Sequence, residues 1–376
     1  MGNTIKMVDL HGQYLKIKDQ IDQAIQEVID SSAFINGKQV DAFATELADF
    51  TEAKYSVPCA NGTDALQIAY QTLGLQPGDE VLMPAFNYVA SAEAAALLGL
   101  KPVFVDVLEG TFNIDEELIE ARITPFTKAI VVVHLFGQSA NMEPILKIAD
   151  RFSLKVIEDN AQSLGSEYYF PDGVRKMTGT MGDIGTHSFF PTKNLGCFGD
   201  GGALTTNNEE YALKAAMISR HGQGQKYAYE MIGCNSRLDT IQAAILRVKL
   251  RQLKSYLLRR TEAGHIYNHL LKNLHQVTRP VENDFSLHTY NQYVIRISGR
   301  NKIKELLREA GVPSMIYYPS PLHLQNAYTY LGYKKGDFPV AEMLCQEVLA
   351  LPLHTEITPR EQEYVVNSLI QSIKSL

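Results

Sequence analysis

The sequence predicts an α/β fold, with a large, mostly parallel sheet domain followed by a smaller C-terminal α/β domain. Three observations carry that expectation. Short apolar runs alternate along the chain with stretches of helical period, which is the pattern of strand–helix–strand units. The runs are continuous rather than alternating apolar and polar, as strands covered on both faces are. A length of 376 residues also suits two domains at about 150 residues each, with a sizeable buried core.

Residues 15–50 read as two helices broken at the turn tripeptide Ile35-Asn36-Gly37. Beyond Lys54, strands are expected at 81–83, 101–105, 129–134, 155–158, 186–189 and 202–205. Helices are expected between them at 63–73, 90–98, 143–152 and 209–220. A long helix rich in Leu, Arg and Lys follows from 236 to about 260, then a strand at 291–297, a helix at 302–310 and a Pro-rich loop at 317–324. The domain boundary is set near residue 250, giving a large domain 1–250 with an N-terminal helical arm and a small domain 251–376.

Composition narrows the function. Lys plus Arg number 35 against 42 Asp plus Glu, a net charge of −7, which argues against a nucleic-acid partner. No apolar run approaches the roughly 18–20 residues of a membrane helix. The first thirty residues are too polar for a leader peptide, so the expected compartment is the cytoplasm. The four cysteines, Cys59, Cys197, Cys234 and Cys345, are scattered and form neither a disulfide framework nor a metal site.

Four segments carry chemistry. Asn61-Gly62-Thr63-Asp64-Ala65 opens a helix, where free N–H groups and the helix dipole favour a phosphate. In Val156-Ile157-Glu158-Asp159-Asn160-Ala161-Gln162 a buried-type strand ends in two acids, at the end where α/β sheets place functional groups. A charge on Asp159 there requires a cation, and a protonated pyridine nitrogen is one. The third segment runs from His187 to Gly202 and sets Lys193 among Ser188, aromatic residues, a proline and glycines. Poor solvation lowers a lysine's pKa and frees its amine to form an imine. Asn235 and Arg237, in Gly233-Cys234-Asn235-Ser236-Arg237-Leu238-Asp239, supply donors suited to phosphate or carboxylate. Taken singly, the first segment reads more often as a plain cap and the third as a structural turn, while the second and fourth read equally as a capping Asp and a surface pair; their combination in this order points to a site.

In that order and spacing, CANGTDALQ, PAFNYVAS, VIEDNAQSLG, SFFPTKNLGCFGDGG and GCNSRLDTIQAAIL resemble the DegT/DnrJ/StrS family of pyridoxal-phosphate-dependent sugar aminotransferases. The resemblance runs from Val8 to Leu353 and implies the aspartate-aminotransferase fold (type I), a 1–250 domain that binds the cofactor, and a homodimer with shared active sites. It implies that Lys193 is the lysine to which pyridoxal 5′-phosphate attaches and that Asp159 pairs with the pyridine nitrogen. Gln162 then lies near the ring's phenolic oxygen, and Tyr88 stacks on the ring. Gly62, Thr63 and Ser188 bind the phosphate, with Asn235 reaching it from the other subunit. A dehydratase of the same family would have histidine in place of Lys193. The branch most similar to this chain aminates a UDP-linked 2-acetamido-3-keto-hexuronate, with L-glutamate as donor, on the way to cell-surface polysaccharide. Arg237 is the candidate for a carboxylate, and Tyr317, Tyr318 and His323 are sugar-side candidates. Asn160, where the family usually has Ala, and the insertion-like stretch 169–176 depart from the pattern. A dTDP-linked 3-keto-6-deoxyhexose, a 4-keto sugar and a non-catalytic regulatory homologue are the alternatives.

Overall fold

The computed structural model describes residues 5–376; residues 1–4, which begin the stretch read as too polar for a leader, lie outside the described residues. No described helix is long and apolar enough to cross a membrane. The arm comprises α1 (Leu10–Leu15), α2 (Lys18–Ser31) and α3 (Lys38–Thr51). The expected pair corresponds to α2 and α3, and α1 is additional, nucleated by the Asp9 side chain accepting from Gly12 N–H. Next come β1 (Tyr55–Cys59), α4 (Gly62–Thr72), β2 (Glu80–Pro84), α5 (Ala90–Leu97), β3 (Lys101–Val105), β4 (Thr127–Val133), α6 (Met142–Phe152) and β5 (Lys155–Asp159). A hairpin of β6 (Glu167–Tyr169) and β7 (Arg175–Met177) is the insertion-like stretch, and β8 (Ile184–Ser188), β9 (Gly202–Thr206) and α7 (Glu209–Ile218) complete the unit.

Seven strands form one sheet in the order β1-β9-β8-β5-β4-β2-β3. All pairs from β3 to β8 are parallel, while β9 runs antiparallel to both neighbours. Strand alternation divides the core. Val81, Met83, Phe104, Val131 and Ile157 face Leu66 and Ala69 of α4 and Ala94 of α5. Leu82, Val103, Ile130, Val132 and Val156 face Ile145 and Ala149 of α6. The edge strand β1 was not expected, because Tyr55-Ser56-Val57-Pro58-Cys59 is half polar and carries a proline. An edge position tolerates the missing N–H.

Beyond a small hairpin, β10 (Gln223–Gln225) and β11 (Ala228–Tyr229), the single helix expected at 236–260 is two: α8 (Thr240–Leu250) and α9 (Leu253–Leu270). Its start is delayed because residues 235–238 are extended. Asn235 bridges Arg220, Ser236 N–H donates to the Ser219 carbonyl at 3.0 Å, and Leu238 is buried. The remaining elements are β12 (Val277–Thr278), β13 (Ser286–Leu287), β14 (Tyr293–Ile297), α10 (Arg300–Glu309), α11 (Pro339–Glu347), β15 (Val348–Leu351) and α12 (Pro359–Lys374). Strands β12, β14 and β15 make a three-stranded sheet. Its residues Tyr293, Ile295, Leu349 and Leu351 pack against Leu307 of α10 and Leu369 of α12. Strand β13 does not join it but pairs with β6, so the C-terminal region is stitched back onto the first.

Close packing of the central strands makes a sharp test. A Cβ on Gly185 in β8 would lie 2.1 Å from the Gly179 carbonyl oxygen and 2.6 Å from Thr205 Oγ1. Gly185→Ala is expected to lose about 1–3 kcal/mol of stability, read as an earlier urea midpoint at unchanged slope. An unchanged midpoint would show that the turn at Gly179 yields freely.

Candidate active site

The carboxyl ends of β4, β5 and β8 open onto one cavity of about 430 Å³. Register places Val133, Asp159 and Thr186 side by side across those strands. Alternation then sends neighbouring acids to opposite faces. Asp159 follows Ile157 toward the α4 face and lines the cavity, whereas Glu158 points the other way.

Glu158 is fully buried and satisfied. Its Oε2 accepts from His134 Nε2 at 2.8 Å and Gly179 N–H at 2.8 Å, and its Oε1 accepts from Met181 and Gly182 N–H at 2.6 Å. His134 Nδ1 accepts from Ala140 N–H, so the ring proton sits on Nε2 and is donated to Glu158. Burial pushes the Glu158 carboxyl up, but His134 and the backbone N–H donors outweigh it and hold the pKa below the ordinary value.

Asp159 is less fully compensated. Ser91 Oγ donates to Oδ2 at 2.9 Å and Ala161 N–H donates to Oδ1 at 3.2 Å. Burial raises its pKa, with those two bonds and the charge of Lys193 pulling the other way. Lys193 lines the same cavity, on the loop that leaves β8 and returns to β9. That loop is pinned by Phe189 N–H to the Gly201 carbonyl at 2.7 Å and Cys197 N–H to the Phe189 carbonyl at 2.8 Å. Burial pulls the Lys193 pKa down to about 8, against the attraction of Asp159.

The far wall is the start of α4. Asn61 Oδ1 accepts from Asp64 N–H at 2.8 Å, and Ala65 N–H bonds the Asn61 carbonyl at 3.1 Å. The N–H groups of Gly62 and Thr63 are left for a ligand, at a helix end that favours an anion. Gly62 is needed here, since a Cβ would sit 2.8 Å from Ser188 Cβ. Gln162 accepts from Phe136 N–H at 2.9 Å and donates to the Tyr318 hydroxyl at 3.0 Å. Tyr88, 55% exposed, lies with its ring 6.1 Å from that of Tyr318. An anion seat, a buried carboxylate and a poorly solvated amine around one cavity fit a phosphorylated, planar, cationic cofactor.

Gly62, Thr63, Tyr88, Asp159, Gln162, Ser188, Lys193, Tyr317 and Tyr318 all line the cavity. Asn235 and Arg237 do not line it; Asn235 is exposed beside Arg220. His323 needs correction as a sugar-side residue. It is buried, bonded to Glu342 Oε1 at 3.1 Å and packed 4.7 Å from the Phe338 ring, away from the cavity. Asn160, the departure from the family pattern, is absorbed into the sheet by bonds to the Thr178 carbonyl and His187 Nδ1. Sequence reasoning missed Ser91 and Asn87, whose Nδ2 donates to Ser91 Oγ at 3.0 Å. Their signal was two polar residues four apart within the PAFNYVAS stretch, Asn87 between two aromatic residues and Ser91 between two alanines.

The model of the DegT/DnrJ/EryC1/StrS aminotransferase family matches residues 15–370. The chain belongs to that family. It is 44% identical to the "pleiotropic regulatory protein" of Geobacillus stearothermophilus, over 98% of both chains. It is also 44% identical to the UDP-2-acetamido-2-deoxy-3-oxo-D-glucuronate aminotransferase of Pseudomonas aeruginosa, over 93% of this chain and 95% of the relative. The crystal structure of DesV from S. venezuelae superposes with a TM-score of 0.95 at 35% identity, covering 98% of each chain. The family depends on pyridoxal 5′-phosphate, and solved members carry it or its amine form. The aminotransferase therefore has the fold and cofactor that the motifs imply.

The Lys193 amine is protonated below about pH 8 and free above it. In cofactor-stripped protein, capture of pyridoxal phosphate should accelerate with a midpoint near pH 8, rather than near the 10.4 of an ordinary lysine. Stopped-flow absorbance across pH 6–11 checks this, and a midpoint above about 10 would show that the amine is solvated.

Proposed function

We propose that the aminotransferase moves the amino group of L-glutamate to C3 of a UDP-linked 2-acetamido-3-keto-hexuronate, making a precursor of cell-surface polysaccharide in the cytoplasm. The observation that carries transamination is the convergence of Lys193, Asp159 and the α4 N-terminus on one cavity. The 3-keto position draws support from the relatives. Besides the Pseudomonas enzyme, a UDP-N-acetyl-3-dehydro-glucosamine 3-aminotransferase is 40% identical, and two dTDP-3-amino-sugar transaminases are 36% and 39% identical. The UDP-linked relatives thus stand somewhat nearer than the dTDP-linked ones.

Pyridoxal phosphate supplies an electron sink when bound. The residues of this chain divide the remaining work. Gly62, Thr63 and Ser188 would hold the phosphate, Gln162 would serve the phenolic oxygen and Tyr88 would pack on the ring. Asp159 keeps a proton on the ring nitrogen. The Lys193 amine, when free, would move the proton at the substrate carbon, a task suited to a base titrating near working pH. Donor and acceptor use the site in turn, so the kinetics are ping-pong. Residues 1–250 form the cofactor domain in this reading and 251–376 the smaller one.

Asp159→Asn removes the charge that retains the ring proton, at about 1.4 kcal/mol per unit of pKa lost. Turnover should fall at least about a hundredfold. A variant within a few-fold of the parent enzyme would end this assignment.

The proposed assembly is a homodimer, with Asn235 and Arg237 serving the neighbouring subunit's site; both lie outside their own cavity, and Asn235 is exposed. Mixing Lys193→Ala with Asn235→Ala chains, each inactive, should restore activity, because one site of the mixed dimer keeps both residues. Mixed dimers that form and stay inactive would exclude a shared site.

Arg237 is assigned to the hexuronate carboxylate, where truncating one partner of a desolvated charge pair costs about 2–5 kcal/mol. Arg237→Ala should raise KM for the UDP-3-keto-uronate strongly and for a dTDP-3-keto-6-deoxyhexose little. Loss confined to the glutamate half-reaction would transfer Arg237 to the donor and remove its support for a uronate.

The regulatory reading is favoured only by names, those of the Geobacillus relative and of the Saccharopolyspora erythraea "sensory transduction protein EryC1", which is 37% identical. A binder without turnover has no need of a poorly solvated lysine facing a buried carboxylate. Bleaching of the bound cofactor's visible absorption by L-glutamate separates the two readings.

A further inference from the structure

The loop that carries Lys193 is gripped from behind by one stripe of α8. Gln242, in the first turn of that helix, engages both polar groups of the Phe198 backbone. The Phe198 N–H donates to Oε1 at 2.8 Å, and Nε2 donates to the Phe198 carbonyl at 3.1 Å. Seven residues on, and so on the same helix face, the Lys249 ammonium donates to the Gly196 carbonyl and lies 5.6 Å from the Phe198 ring centroid. Leu246 fills the space between them, in one cluster with Phe189, Leu195 and Cys197.

Lys249 is an unusual choice for this position. It is only 3% exposed, and its hydrogen bond goes to a main-chain carbonyl rather than to a carboxylate. Burial pulls its pKa down to about 8. A methionine would fill the same volume without an ion to desolvate, so packing alone does not account for it. What the ammonium adds is direction. Gly196 has no room for a side chain, because a Cβ there would lie 2.3 Å from the Pro191 carbonyl oxygen. The loop is therefore folded tightly on itself between Pro191 and Gly196, with Lys193 at the crest, and its return limb is tied to α8.

We infer that Lys249 is a positioning residue for the reaction: with Gln242 it fixes the return limb of the loop, so that the Lys193 amine projects into the cavity facing Asp159. This rests on the reading of Lys193 as the lysine that carries the cofactor.

The test uses the full-length holoenzyme with Lys249→Met, Lys249→Arg and Gln242→Ala. Lys249→Met should slow the glutamate half-reaction at least tenfold and shift the visible absorption of the lysine-bound cofactor, with KM for glutamate within about threefold of the parent. Lys249→Arg keeps a cationic donor and should recover a substantial part of the lost rate. Gln242→Ala, near the helix start and only part-buried, should reproduce the rate loss in milder form; if Lys249→Met does not fold, this variant decides the question alone. Unchanged half-reaction rates and spectra in the folded variants would overturn the inference, as would a Lys249→Met defect that Lys249→Arg leaves wholly unrepaired. Failure of the underlying reading looks different: Lys193→Ala would then keep the visible band and its bleaching by glutamate.

Discussion

Everything in this molecule answers to one requirement, that a carboxylate and an amine be held in the same poorly solvated cavity without touching. Bonded directly, Asp159 and Lys193 would neutralise one another, and neither would be available to a ligand. Burial instead raises one pKa and lowers the other. Two titratable groups whose pKa values burial draws toward one another, facing a single cavity, mark a functional site. The two residues come from different strands, Asp159 from the end of β5 and Lys193 from the loop after β8, so their separation is set by a parallel strand pair. Strand pairing in turn is fixed by the division of the core onto two faces, since a slip of one residue would exchange Asp159 with Glu158.

That exchange would be ruinous, because the two acids are provided for differently. Glu158 sits in a closed set of donors from His134, Gly179, Met181 and Gly182. Among the described residues, Asp159 receives only Ser91 and Ala161. A carboxylate with its lone pairs filled is structural cement; one with capacity to spare awaits a cation. The sheet thus carries both kinds on consecutive residues, and pleating alone distinguishes them.

Much of this was legible in the chain. The central strands could be read because their apolar runs are continuous, and Lys193, Asp159 and Gly62 because each lies in a short local pattern whose chemistry is recognisable. What escaped notice depends on distant partners. Strand β1 is half polar and holds Pro58, and only its pairing with β9 makes it a strand. The Asn87–Ser91–Asp159 chain joins residues whose meeting follows from how α5 lies on the sheet. His323 was misjudged from its neighbours Tyr317 and Tyr318. The turn at Leu322–Leu324 swings it into the core against Phe338 while the tyrosines stay in the cavity. The late start of α8 was hidden because residues 235–238 spend their backbone bonds on the segment before the small hairpin.

The pairing of β13 with β6 has a consequence for how substrate arrives. Ser286 and Leu287 are zipped to Tyr168 and Glu167, and Thr289 and Asn291 are tied to Asn194, the residue after Lys193. A clam-like closing of the C-terminal region over a bound sugar would have to tear those seams. Those seams resist such a closure, so the walls they join are ordered by folding rather than by each binding event. A cavity walled in this way offers its contents a fixed frame: what enters meets Lys193 and Asp159 already in place at the ends of strands that do not have to move.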